Sequence, residues 1–226
     1  MATPASPIKT RKQNHWTTPL KGIACEDGIK QGRRFATFAD WWRGTRHSDD
    51  MFWLLATVKF PAGQIWRLLA CQFIRKTKID RKGRTTWDLL SDKSRYHVTV
   101  AERYAHGLAS DATLRKARKG AREEEELIRK LIPGGSGFPK SPTRVMPQAV
   151  SAAVDRSKNG WSAVNNAAAW TTIAAVWQAR SDSQPIAERG AQVRVRRQHA
   201  DIIREMFPAE EVEVLFNQYI AALTKQ

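Results

Sequence analysis

The stretch Ile74–Arg84, "IRKTKIDRKGR", places Arg75, Lys76, Lys78, Arg81, Lys82 and Arg84 close together with a single acid, Asp80. Each of these cations can neutralise a phosphate and release a counterion. The spacing therefore points to salt-sensitive, sequence-independent contact with a polyanion. The competing reading is a solvated helix end whose cations suit the negative end of the helix dipole. Arg33, Arg34, Arg43 and Arg46, with Lys9, Arg11 and Lys12 near the N-terminus, extend the same expected patch. Trp41 and Trp42 are adjacent, so one is expected in the core and the other partly exposed, where it could stack on a base.

Other chemistry finds weaker support. Ser94–Ala121 reads as a helix, a glycine and a second, basic helix, the outline of a helix-turn-helix. With Gly107 at the ninth position of that motif, Arg103 falls at the fifth, where a small residue must sit. Thr113 falls at the fifteenth, where a buried aliphatic is expected. Two helices packed through Leu108, Leu114 and Ala117, with Arg115, Arg118 and Arg122 solvated, explain the same pattern. His15, His47, His97, His106 and His199 show no zinc-binding spacing, and "GGSGFPKS" lacks the Gly-Lys-Ser/Thr of a phosphate loop. No nucleophile has an activating partner in sequence, so no enzyme, metal or cofactor is expected. Glu123–Glu126 wrap round a helix and support it through pairs with Arg122, Arg129 and Lys130. Cys25 and Cys71 are expected to be buried thiols.

The elements that would position these residues are helical throughout. "SDDMFWLLATVKF" carries two carboxylates in its first turn. "PAGQIWRLLACQFIRKTK" is long and amphipathic, with Ile65, Leu68, Leu69 and Phe73 on one side. Ser91 and Ser110 stand where the next two helices start, and Gly107 stands where the first of them ends. Trp170 and Trp177 share a face in the Ala-rich region that follows. Pro185 and Pro208 bracket another helix, and Val212, Leu215, Phe216 and Tyr219 mark the last. The expectation is all-α, an irregular bundle of about ten helices and no sheet. Its parts are a flexible basic arm over 1–19 and a helical N-terminal part over 20–132. A Pro/Gly linker over 133–147 and an Ala-rich helical part over 148–226 follow, the last packing on the first in one composite domain.

Residues 68–118, "LLACQFI" through "TTWDLLSDKSRYHVTVAERYAHGLASDATLRKAR", resemble a family of uncharacterised, Ala-rich, all-helical bacterial and phage proteins. "QHADIIREMF" (198–207) and "ACEDGIKQGRRFATFADWW" near the N-terminus are similar to further elements of that family. The likeness implies an all-α fold, and the immunity-protein label that some members carry implies a protein-neutralising role. No ligand residue transfers with the likeness. The basic insert between "ACQF" and Trp87 departs from it, as do "AREEEELIRK" and the Pro/Gly stretch.

The totals bound the reading. Net charge is +16, and residues 1–90 hold 17 Lys and Arg against 7 Asp and Glu, whereas the last 42 residues balance at 6 against 6. Such a field attracts nucleic acid, anionic surfaces or acidic proteins. Neither a secretory signal nor a membrane-spanning run is legible, and a cytoplasmic setting is expected. The leading expectation is a non-enzymatic module for nucleic acid or a nucleoprotein complex. The alternative is an immunity-like or adaptor module for an acidic protein.

Overall fold

The computed structural model describes residues 15–60, 63–130, 142–155, 161–181 and 187–223. Within them the chain is all-α, with ten α-helices and no sheet. They are α1 (Glu26–Gly32), α2 (Phe38–Gly44), α3 (Ser48–Thr57), α4 (Ile65–Lys76), α5 (Asp92–Ala105), α6 (Asp111–Lys130), α7 (Pro142–Ala153), α8 (Trp161–Ser181), α9 (Ala187–Met206) and α10 (Ala209–Leu223). Short 3-10 turns lie at Thr18–Leu20 and Thr86–Leu89. None of these helices is long and apolar enough to cross a membrane.

α4 is the centre. Leu69, Ala70, Cys71, Phe73 and Ile74 are fully buried, because α5, α7, α8 and α9 all pack against this one helix. α7 and α8 form the closest pair. Ala149, Ala153, Ala163 and Ala167 are buried along them, and such small side chains let two backbones approach. The main apolar cluster runs from Leu20 to Phe216 and draws on every helix from α2 to α10.

Helix ends follow local chemistry. The Ser91 Oγ accepts from the Ser94 N–H (3.0 Å) at the start of α5, and the Ser110 Oγ accepts from the Thr113 N–H (3.2 Å) at the start of α6. Gly107, at φ +72°, closes α5 in the left-handed region that favours glycine.

Five expectations need correction. Trp41 and Trp42 are both buried. α2 is only two turns long and is held by its neighbours: Trp16 meets Trp41, Phe216 stacks on Phe38, and the Trp42 indole donates to the Phe207 carbonyl (3.0 Å). Cys25 is exposed rather than buried, and its sulfur caps α1 by accepting from the Gly28 N–H. Leu108 is exposed, so the inward stripe of α6 begins at Leu114. Residues 15–19 belong to the packed body, with Thr17 buried and Trp16 against the core, while 1–14 of the expected arm lie outside the described residues. The expected linker ends early: α7 starts at Pro142 and carries Pro147 inside it, with residues 133–141 outside the described residues. Proline suits a first helical turn, and Val145, Met146, Ala149 and Val150 bury a face strong enough to hold the helix through Pro147.

Candidate nucleic-acid interface

Where α4 ends, the backbone turns into a small hairpin. Lys78 and Thr85 form an isolated antiparallel bridge. The Ile79 N–H donates to the Arg84 carbonyl and the Thr86 N–H to the Thr77 carbonyl, both at 2.8 Å. Ile79 is the anchor: it is buried with Ala175 of α8 and Val195 of α9. Asp80 holds the turn, its carboxylate accepting from the Arg84 N–H (3.1 Å) and Nε (2.6 Å). Burial works against that charge, but the Arg84 and Lys82 hydrogen bonds hold the carboxyl below its ordinary range. Gly83 takes φ +88°, which the turn requires. The result is a pinned loop that leaves Lys78, Arg81 and Lys82 exposed.

The structure divides the ten expected cations that lie among the described residues. Arg75 forks onto Glu102, Nε to Oε1 at 2.5 Å and Nη2 to Oε2 at 2.7 Å. Its guanidinium also lies 3.8 Å from the Trp87 ring centroid. Such a clamp holds α4 to α5 and is not free to bind phosphate. Lys76 pairs with Glu205 (2.5 Å), Arg84 with Asp80 (2.6 Å) and Arg43 with Glu210 (2.6 Å). Lys78, Arg81, Lys82, Arg33, Arg34 and Arg46 have no carboxylate partner among the described residues. Arg33 and Arg34 end α1 beside α2, where the Phe35 ring packs so close to Gly44 that a Cβ there would sit 2.6 Å from it. The expected N-terminal cations Lys9, Arg11 and Lys12 lie outside the described residues.

α9 brings in cations that the sequence reading passed over. The Lys78 N–H donates to the Gln198 Oε1 (2.6 Å), and the Arg194 Nη2 donates to the Ile79 carbonyl (3.2 Å). At 3.6 residues per turn, Arg194, Gln198 and Glu205 share one face, the one toward the hairpin. On the opposite flank Arg196 pairs with Asp49 of α3 (3.2 Å). Beside it, Arg204 donates to the carbonyls of Trp42 (3.1 Å) and Thr45 (2.8 Å). Between these flanks α9 turns outward, and exposed Arg197 sits there. Arg46 follows Thr45, whose carbonyl Arg204 holds. The signal was present in "VRVRR" (193–197), but the neutral charge balance of the C-terminal segment concealed it.

The remaining candidates are structural. α5 and α6 are tied through Ser91 and Ser94, both donating to Glu124 (2.7 and 2.9 Å). Arg118 reaches Asp155 beyond α7 (2.8 Å), as does Arg122 (3.8 Å), so neither meets Glu126. Glu126 pairs instead with Arg129 and Lys130. His97 and His199 are buried, and among the described residues no three His, Cys, Asp or Glu side chains gather as a metal site. No protein-family model matches this chain, and neither does any curated protein or solved structure compared with it.

Proposed function

We propose that the chain is a non-enzymatic helical module that binds a polyanion, with nucleic acid as the partner. The contacts are Lys78, Arg81 and Lys82 on the hairpin and Arg194 and Arg197 on α9. One observation supports this above the others: a hairpin pinned by Ile79 and Asp80 holds Lys78, Arg81 and Lys82 exposed and without a carboxylate partner among the described residues, with half-buried Arg194 of α9 bonded to its base and exposed Arg197 further round that helix. A pre-ordered loop loses little freedom on binding, so its charge is available at small entropic cost. The +16 excess adds long-range attraction. Contacts of this kind read backbone phosphate rather than base sequence.

The test is fluorescence anisotropy with a labelled short duplex and a labelled single strand at low salt. Changing Lys78, Arg81 and Lys82 together to Glu is expected to abolish binding while the helical circular dichroism is unchanged. Binding that survives the triple reversal places the contact elsewhere. Association that instead tracks an acidic protein, and persists after nuclease treatment, replaces nucleic acid as the partner.

A further inference from the structure

Between the segment carrying Trp16, the start of α1 and the first turns of α3 lies a cavity of about 130 Å³, lined in part by Trp16, Trp41, Trp53, Ala24, Cys25 and Asp50. Its walls are mainly carbon. Trp41 is buried, Trp16 and Trp53 are half-buried, and Trp16 meets Trp41 at 5.5 Å between ring centroids. The Trp16 indole N–H is already engaged by the Phe35 carbonyl (3.1 Å). What that ring has left for a ligand is its π surface.

One group breaks the apolar lining. Asp50, in the first turn of α3, is half-buried and makes no hydrogen bond or ion pair among the described residues. Burial pushes its carboxyl above the ordinary value. The charges that reach it are His47 and Arg196, which oppose that rise, and Asp49 and Asp27, which add to it. Arg196 is committed to Asp49. A carboxylate held beside indole without a partner is costly, and an incoming cation would recover that free energy.

We propose that this cavity binds the head of a small organic cation of the methylated-ammonium class, with Asp50 as the counter-charge and Trp16, Trp41 and Trp53 as a cation–π wall. Size selects within the class. A cavity of roughly 150 Å³ holds benzene, so one of about 130 Å³ takes a compact methylated ammonium but not a nucleoside. Sign selects as well, because Asp50 repels phosphate. The site is therefore distinct from the basic hairpin and does not rest on the polyanion reading.

Calorimetric titration of the full chain tests it with three probes: choline, its uncharged isostere 3,3-dimethyl-1-butanol, and a short peptide carrying trimethyl-lysine. Choline is expected to bind saturably, and the isostere at least about tenfold more weakly, because it lacks the charge that Asp50 and the rings recognise. Asp50→Asn, of nearly equal size, should weaken choline by about tenfold or more and leave the isostere unchanged. Choline affinity should rise with pH as Asp50 ionises. A peptide that binds more tightly than choline identifies the natural source as a modified side chain, and the reverse order identifies a free small molecule. If Asp50→Asn fails to fold, the choline and isostere pair decides the matter on the unaltered chain. Equal binding of that pair, or no saturable binding by either cation, overturns the proposal.

Discussion

Salt dependence separates the interface drawn here from the larger patch suggested by the sequence. Ten of the cations nominated by sequence lie among the described residues, but Arg43, Arg75, Lys76 and Arg84 already face carboxylates. The hairpin and α9 offer five: Lys78, Arg81, Lys82, Arg194 and Arg197. For duplex DNA the slope of log K against log salt is about −0.9 per phosphate neutralised, so five contacts give about −4.5. Raising salt from about 50 to about 200 mM then weakens binding about 500-fold, whereas ten contacts would weaken it about 250,000-fold. Changing Lys78, Arg81 and Lys82 to Gln should reduce the slope to about −1.8 and the loss to about 12-fold. Arg75→Gln should leave the slope unaltered. Anisotropy titrations across that salt range measure all three proteins. A slope near −9, or one indifferent to the triple Gln variant, would refute the assignment.

Three further outcomes concern the scaffold. Arg75→Gln or Arg75→Lys should each lower stability by about 1–2 kcal/mol in urea denaturation, because neither can fork onto Glu102 while covering Trp87; the figure is kept modest for a pair partly open to water. Gly120→Ala would put a Cβ 2.7 Å from the His97 Cε1 and 2.9 Å from its Nε2. It should destabilise by about 1–3 kcal/mol through overpacking, although alanine is the better helix former. In a His97→Ala background the same change should stabilise, and a double-mutant cycle by thermal melting reads the reversal. His199 is fully buried, with its Nε2 between the Thr77 and Thr171 hydroxyls (3.0 and 3.2 Å), and burial depresses its pKa from 6.5 to about 3. A depressed folded pKa means that protons favour the unfolded chain. This contribution is intact above about pH 6.5 and is lost as pH falls from there toward about 3, by up to about 1.4 kcal/mol per unit. Burial depresses His97 in the same direction. Urea midpoints at pH 7 and pH 5 should differ less in His199→Gln than in the parent.

The helical plan is legible because apolar periodicity and caps agree along most of the chain. Ser91, Gly107 and Ser110 mark ends that the backbone respects. α7 escapes because its first three residues are Pro, Thr and Arg and a second proline, Pro147, stands sixth. Only tertiary burial of Val145, Met146, Ala149 and Val150 reveals the helix. The exposure of the basic loop at Lys78, Arg81 and Lys82 follows from local sequence. The neutralisation of Arg75 and Lys76 does not, since their carboxylates lie 27 and 129 residues away. Separation in the chain also hides the cavity beside Asp50: Trp16, Trp41 and Trp53 are scattered in sequence and line it together only in the fold.

Ile79 and Asp80 stand side by side in the chain, and they divide labour at the hairpin. Everything that fastens the hairpin to the body lies at its base and its Asp80 clasp, so the side chains at positions 81 and 82 carry almost no architectural duty. Lineages, or engineers, can therefore rewrite those two side chains to suit a new partner and leave the bundle beneath untouched.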